Sequence, residues 1–211
     1  ADAAKIAGTN RLIFLSSVKV NGESTSHKLP FDADDTPTPT DPYGISKLEA
    51  ENALFEIAEP GRFDIVVVRP PLIYGPNPKG NMYTLMEAIR RGLPLPLASI
   101  KNNARSYVSL NNLSSFIYAC LMHPAAANEI FLVSDGKDLS TATLIEKLSK
   151  AMGNRNPAFN FPPKLLSLVL TAIGKGDVAE RLLESLQVSI KKNESLLEWK
   201  PQYTFVQGIE V

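Results

Sequence analysis

The stretch that decides the fold is LIFLSS at residues 12–17, together with a second apolar run, DIVVVR, at residues 64–69. Each run is continuously apolar instead of alternating, which is typical of a strand buried on both faces of a parallel sheet. The two runs therefore predict a sheet in the interior of the protein.

Residues 42–59 lie between the two runs and have the pattern of a helix. Pro42 fits the first helical turn, and either Thr40 or Asp41 can cap it. The Pro-Gly pair at residues 60–61 ends it. A strand, a helix and a strand in this order predict a right-handed crossover in a parallel sheet, and therefore an α/β fold.

Helices and short strands alternate through the rest of the chain. The patterns predict helices over 81–91, 111–122 (capped by Asn111) and 140–152, and strands over 106–110 and 129–133. The segment beyond Pro162 is helical, with a turn near Gly174. Residues 174–179 also fit Gly-x-Gly-x-x-Ala, but a lone glycine motif after a helical segment is a weak signal for a phosphate loop.

Composition and charge exclude several classes of protein. The 211 residues carry 22 basic and 22 acidic side chains, so the chain lacks the basic excess of a dedicated nucleic-acid binder. The single cysteine, Cys120, excludes a disulfide within the chain and a multi-cysteine zinc site. The longest apolar stretch, residues 165–173, is too short to span a bilayer. We therefore expect a cytoplasmic protein with no metal, no nucleic-acid partner and no membrane partner.

Tyr43 and Lys47 are the first candidate for chemistry, because residues four apart lie on one face of a helix. A phenol ionises near pH 10, and a nearby ammonium favours the phenolate, so such a pair can move a proton to or from a hydroxyl. The spacing alone is weak, since about 0.4 such pairs arise by chance in this composition. Without further context, a Tyr at the edge of the core and a solvated Lys remain the alternative.

Ser16 and Ser17 strengthen the functional interpretation. They follow the first predicted strand, and α/β sheets place ligands at the carboxyl ends of their strands. The helix that carries Tyr43 and Lys47 connects this strand with the next one. The three features are therefore expected to meet at one edge of the sheet.

Five segments in order resemble the extended short-chain dehydrogenase/reductase family, specifically its NAD-dependent epimerase/dehydratase, nucleotide-sugar type. They are FLSSVKVNG at 14–22, PYGISK at 42–47, RPPLIYGP at 69–76, ARSYVSLNNL at 104–113 and LLEWKP at 196–201. The resemblance covers nearly the whole chain, and five ordered segments are far more specific than any one motif.

The resemblance implies a role for each of several residues. Tyr43 is expected to be the acid/base, Lys47 to hold the nicotinamide ribose and Ser17 to orient the substrate oxygen. The implied sets are catalytic Ser17, Tyr43 and Lys47; cofactor-binding Ser16, Tyr43, Lys47, Pro70 and Leu72; and substrate-binding Ser17, Asn81, Met82 and Arg105. For Arg105, the alternative to a binding role is a surface salt bridge. For Asn81 the alternative is a helix cap, and for Met82 it is a place in the core.

The chain departs from the family pattern at two places. Leu72 stands where 4-epimerases often have Asn, which puts the epimerase assignment in doubt. No glycine-rich turn precedes Ser17, although the family begins with one. The resemblance therefore implies the C-terminal part of a Rossmann-like domain over 1–75 and a substrate-binding region over 76–211, with a strand and helix near 106–125 returning to the sheet.

The expected activity is that of an NAD(P)-dependent nucleotide-sugar epimerase/dehydratase, either a UDP-sugar 4-epimerase or a 4-keto-sugar reductase. This chain alone is expected to be inactive and to bind NAD or NADP weakly or not at all. A homodimer is a possible assembly. The alternatives are a sterol-type hydroxy dehydrogenase, in which Arg105 would meet no phosphate, and a non-catalytic or truncated binding module on the same fold.

Overall fold

Two parallel sheets organise the chain in a computed structural model that describes residues 1–76, 78 and 80–209. The strands are β1 (Arg11–Leu15), β2 (Asp64–Arg69), β3 (Leu72–Tyr74), β4 (Tyr107–Ser109) and β5 (Ile130–Leu132). One sheet has the order β1-β2-β5, and the other pairs β3 with β4. The predicted α/β class is confirmed, with Leu15 in register with Val68 at the carboxyl end of the first pair.

The described residues form eight α-helices, of which one precedes β1 and the others lie between strands or after β5. They are α1 (Asp2–Ile6), α2 (Pro42–Glu56), α3 (Gly80–Arg90), α4 (Leu110–Met122), α5 (Thr141–Ala151), α6 (Pro163–Ala172), α7 (Gly176–Leu183) and α8 (Lys191–Leu197). Short 3₁₀ turns lie at Val18–Val20 and Pro124–Ala126. In the ranges that the structure covers, no helix combines the length and apolar character needed to cross a bilayer.

The observed boundaries correct several sequence predictions. Helix α2 ends at Glu56 instead of residue 59. Helix α4 is capped by Ser109 and not by Asn111, because the Ser109 hydroxyl accepts a hydrogen bond from the Asn112 N–H at 3.1 Å. In the 106–125 segment, the strand pairs with β3, while β5 is the strand that joins β2. Gly174 adopts φ +74° in the turn between α6 and α7, as the helical interpretation of that segment predicts.

Two groups of apolar side chains form most of the core. The first packs sheet residues such as Val66 and Val68 against Phe116 of α4 and against Trp199. Phe116 and Trp199 meet edge-on with ring centroids 4.8 Å apart. The second group surrounds α3 and α5 and includes Met82 and Leu148.

A buried ion pair joins helix α2 to the end of strand β2. The Arg69 guanidinium donates through Nε to Glu51 Oε1 at 3.0 Å and through Nη2 to Glu51 Oε2 at 2.5 Å. Its Nη1 donates to Asn21 Oδ1 at 3.1 Å. All three side chains are almost completely buried, so each polar group depends on its partners for the hydrogen bonds that water would otherwise supply.

Gly44 allows the first turn of α2 to approach the turn at Val18–Val20 closely. A Cβ atom at Gly44 would lie 2.8 Å from the Lys19 carbonyl oxygen and 3.0 Å from Pro39 Cβ. The contact involves backbone and cannot be relieved by a side-chain rotation. Glycine is therefore required at position 44, where the first turn of α2 meets the segment that follows Ser17.

Removing one partner of the buried ion pair is expected to destabilise the fold strongly. Glu51→Leu leaves the Arg69 charge buried without a counter-ion and should lower the free energy of unfolding by about 3–5 kcal/mol. The double variant Glu51→Leu/Arg69→Met should lose less than Glu51→Leu alone, because neither charge remains. Urea unfolding followed through the fluorescence of Trp199, the single tryptophan, measures both.

Glu49→Leu is the matched control, because Glu49 is an exposed carboxylate on the same helix. Its effect should stay within about 0.5 kcal/mol. Equal losses for Glu49→Leu and Glu51→Leu, or a double variant at least as unstable as Glu51→Leu, would show that the pair does not hold α2 in place.

Candidate functional site

Ser16 and Ser17 lie at the carboxyl end of β1, as the sequence predicts. The Ser16 N–H continues the ladder by donating to the Val68 carbonyl at 2.8 Å. Ser17 caps the following 3₁₀ turn, and its Oγ accepts from the Lys19 N–H at 3.3 Å. That bond uses one lone pair of the hydroxyl and leaves the O–H proton able to donate to a ligand oxygen.

The hydroxyl of Ser16 is an unusual polar atom. It is buried, and no described residue offers it a hydrogen bond. Buried hydroxyls normally have a partner, because an unmade hydrogen bond costs free energy. The orphaned Ser16 Oγ, beside Ser17, is therefore a candidate contact for a ligand.

Tyr43 and Lys47 occupy the first turns of α2, beside the same strand end. The Tyr43 side chain is 52% exposed, so its phenol is accessible. Lys47 Nζ donates to the Leu15 carbonyl at 3.1 Å and lies 5.7 Å from the Tyr43 ring centroid. It also lies 4.8 Å from the Phe14 ring centroid, within cation–π distance.

Leu15 can accept the Lys47 hydrogen bond because of the strand register. Ser16 and the even-numbered residues of β1 direct their backbone groups to β2, so the odd-numbered residues direct theirs away from it. The ammonium is thereby fixed at the strand end, on the side of the phenol. This arrangement brings Ser17, Tyr43 and Lys47 to one edge of the sheet.

A compact charge cluster supports the start of α2. Asp41 caps the helix, its Oδ1 accepting from the Gly44 N–H at 2.6 Å, and its other oxygen pairs with the Lys19 ammonium. Lys19 Nζ also reaches Glu23 at 3.1 Å. Burial opposes the charge on Lys19, but the hydrogen bonds to both carboxylates outweigh it and raise the pKa of Lys19. Burial likewise opposes the Asp41 charge, and the bonds from Lys19 and Gly44 lower the pKa of Asp41.

The segment after β2 contributes a mixed surface. Pro70 is buried, and its carbonyl accepts from the Val18 N–H at 3.0 Å, which ties this segment to the residues after Ser17. Leu72 is exposed at the start of β3. Of the two predicted cofactor contacts here, Leu72 is exposed, and Pro70 is buried with its carbonyl bonded within the protein.

Arg105, a predicted substrate contact, lies in the second half of the chain. Its backbone bridges Leu139 and Leu186, and its Nη1 donates to the Glu184 carbonyl at 3.0 Å. Burial lowers the pKa of the guanidinium from its usual value, against the attraction of Tyr107 and of Glu23. Burial also raises the pKa of Tyr107 to about 12. The Glu23 carboxylate favours the charged form of both Lys19 and Arg105.

The two remaining predicted substrate contacts differ in exposure. Asn81 is exposed near the start of α3. Met82 is completely buried in the second core group, so the structure assigns it the core role and not the binding role. A side chain with no accessible surface has nothing to offer a ligand unless the core opens.

Sequence reasoning missed the groups that hold this site together. Lys19 lies in the 3₁₀ turn after Ser17 and Glu23 lies four residues beyond it, and no local pattern connects them to Asp41. Glu51 did carry a signal, because it lies four residues beyond Lys47 on the same face of α2. Its partner Arg69 is distant in sequence, so only the folded structure shows that the two residues pair.

The described residues form a cavity but hold no cluster of potential metal ligands. Among the described residues, no group of three His, Cys, Asp or Glu side chains could hold a metal ion. A cavity of about 760 Å³ lies beside the loop after Ser17, and its lining includes Asn21, Phe31 and Ile190. Ser17, Tyr43 and Lys47 are not among the residues that line this cavity.

Comparison with known proteins places this geometry in a family. The model of the NAD dependent epimerase/dehydratase family matches residues 1–134. A UDP-glucose 4-epimerase of Vibrio cholerae is 42% identical over 204 residues, which are 97% of this chain and 62% of that protein. An N-acetyl-alpha-D-glucosaminyl-diphospho-ditrans,octacis-undecaprenol 4-epimerase of Escherichia coli O157:H7 is 28% identical over 74% of this chain and 46% of its own length.

Solved structures share the fold. The UDP-glucuronic acid 4-epimerase of Bacillus cereus, in complex with NAD, superposes with a TM-score of 0.76 at 20% identity, over 99% of this chain and 62% of that one. The UDP-glucose 4-epimerase of Thermotoga maritima, with UDP-glucose, gives 0.72 at 19% identity, over 99% and 64%.

The chain thus spans less than two thirds of the length of these relatives. The family match extends over more than half of the chain and includes β1, β2 and the helix with Tyr43 and Lys47. The chain belongs to the NAD dependent epimerase/dehydratase family.

Proposed function

We propose that this chain supplies the Ser-Tyr-Lys site and the substrate-binding region of an NAD(P)-dependent nucleotide-sugar 4-epimerase. The observation that carries the proposal is the convergence of Ser17, Tyr43 and Lys47 at the carboxyl end of β1. This is the position at which α/β sheets bind ligands. The similarity to the 4-epimerase of Vibrio cholerae supports the reaction type.

Each of the three side chains has a distinct role in proton movement. The Tyr43 phenolic oxygen takes the proton of the sugar hydroxyl as the carbon that bears it is oxidised, and returns it when that carbon is reduced. The Lys47 ammonium, anchored on the Leu15 carbonyl, favours the charged phenolate. The Ser17 O–H donates a hydrogen bond to the same sugar oxygen, because the bond from the Lys19 N–H occupies a lone pair of the hydroxyl and leaves its proton available.

The nicotinamide end of a cofactor fits the residues present. Ser16 Oγ is a buried hydroxyl without a partner among the described residues, and Lys47 has donor capacity beyond its bond to Leu15. Leu72 and the backbone at Pro70 lie on the neighbouring strand end. When bound, the cofactor would accept and return a hydride at the sugar carbon.

Arg105 is the proposed contact for the diphosphate of the substrate. A planar guanidinium forms paired hydrogen bonds with phosphate oxygens, and partial burial strengthens them. The bond to the Glu184 carbonyl orients the group and uses one of its five N–H donors. Asn81, exposed at the start of α3, is a further proposed substrate contact.

A 4-keto-sugar reductase is the second candidate. The observation in its favour is Leu72, which places an apolar side chain where a 4-epimerase often hydrogen-bonds its substrate. A dTDP-4-dehydro-6-deoxyglucose reductase of Escherichia coli is 22% identical over 96% of this chain, against 42% for the Vibrio cholerae epimerase. The higher identity favours the epimerase.

Replacing Tyr43 tests the proposed acid/base directly. In a full-length protein that carries this chain, Tyr43→Phe removes the oxygen that moves the proton and should lower kcat by about 10²–10⁴-fold with UDP-glucose as substrate. Tyr83→Phe, in which the hydroxyl is lost from an exposed tyrosine of α3, is the control and should keep full turnover. Turnover of Tyr43→Phe within a few-fold of the unchanged protein would refute the assigned role.

Cofactor titration tests whether this chain binds the whole cofactor or only its nicotinamide end. The 211-residue chain holds residues for the nicotinamide end but no glycine-rich turn before Ser17 to bind a pyrophosphate. Titrating NADH against this chain should therefore show weak or no change in cofactor fluorescence. Micromolar affinity would mean that other residues of this chain bind the phosphates.

A further inference from the structure

Residues 147–176 have a charge that differs from that of the rest of the chain. This segment carries four lysines and one arginine and not a single Asp or Glu. Because the whole chain has no net charge, the remaining residues carry a net charge of minus five. This segment, which extends from within α5 through α6, thus has a net charge of plus five because it contains no acidic residue, and the first acidic residues after it, Asp177 and Glu180, lie on α7.

Helix α6, within this stretch, exposes an apolar stripe to solvent. Leu165, Leu168, Val169 and Ile173 follow the spacing i, i+3, i+4 and i+8, which places them on one side of the helix, and they are between 46% and 66% exposed. Ala172 is exposed on the same side. We call these five residues the α6 stripe.

The other sides of α6 already have partners. Leu166 is buried in the second core group, and Leu170 packs against it. Ser167 and Thr171 face α7 across a cavity of about 230 Å³. The exposure of the α6 stripe is therefore not a consequence of a loosely packed helix.

Two lysines flank the α6 stripe, and a phenylalanine precedes it in the sequence. Lys164 and Lys175 are exposed at the two ends of the helix. Phe159 is exposed just before it, with its ring 6.5 Å from that of Phe161. Apolar side chains flanked by lysines, with phenylalanine beside them, characterise helices that lie in the headgroup region of a membrane.

We propose that the α6 stripe and its flanking lysines form a contact surface for an anionic phospholipid bilayer. Leu165, Leu168, Val169 and Ile173 enter the boundary between headgroups and acyl chains, and Lys164 and Lys175 pair with phosphate groups of the lipids. The ten residues of α6 extend for about 15 Å, which is too short to cross a bilayer. The helix therefore lies in the plane of the membrane surface. This departs from the expectation, drawn from the sequence, that the chain has no membrane partner.

Vesicle flotation of the 211-residue chain tests the surface. The chain should float with vesicles of phosphatidylglycerol and phosphatidylcholine in equal amounts, bind vesicles of phosphatidylcholine alone more weakly, and dissociate as salt is added. Lys164→Gln/Lys175→Gln should weaken binding about thirtyfold. Leu168→Gln should weaken it about tenfold.

Matched controls distinguish binding through this surface from nonspecific adsorption to the vesicles. Leu121→Gln changes an exposed leucine of α4, and Lys28→Gln/Lys191→Gln removes two exposed lysines that line the 760 Å³ cavity. Both controls should bind like the unchanged chain. Equal losses in the controls and the α6 variants would overturn the proposal, as would failure of the unchanged chain to bind anionic vesicles at low salt.

A second copy of the chain is the competing occupant of the α6 stripe. If Leu168→Gln converts a dimer into a monomer in size-exclusion chromatography and leaves vesicle binding unchanged, the stripe is a subunit interface and the proposal fails. None of these measurements depends on turnover or cofactor binding, so they stand apart from the proposed function.

Discussion

The buried ion pair between Arg69 and Glu51 is the constraint on which the rest of the site depends. It joins the end of β2 to the middle of α2, and through Asn21 it reaches the segment that follows Ser17. A desolvated guanidinium tolerates little displacement of its partners, because each lost hydrogen bond leaves a buried charge uncompensated. The helix with Tyr43 and Lys47 and the strand end with Ser17 are therefore held in one geometry.

Two smaller contacts complete this positioning. The missing side chain of Gly44 lets the first turn of α2 lie against the Lys19 carbonyl. The Lys47 ammonium bonds the Leu15 carbonyl, which is available because odd-numbered residues of β1 face away from β2. Both contacts involve the first turns of α2 and therefore position the backbone that carries Tyr43 relative to the end of β1.

The chain divides its charges between two surfaces with different properties. Around the proposed catalytic edge, the cations Lys19 and Arg105 are close to acidic groups such as Glu23 and Asp41, so their charge is locally balanced. Along residues 147–176 the cations have no acidic residue within the segment. The lysines at the two ends of α6, within this segment, belong to the surface proposed for an anionic bilayer.

The sequence by itself determined the α/β class, the strands β1 and β2 and the helix between them, and it predicted that Ser17, Tyr43 and Lys47 lie at one strand end. Apolar runs, caps and residue spacing are local patterns, and parallel strands necessarily align their carboxyl ends. The tertiary structure decided that Met82 belongs to the core, that Ser109 and not Asn111 caps α4, and that Arg69 pairs with Glu51. Those outcomes depend on which distant residues meet once the chain has folded, and no local spacing records them.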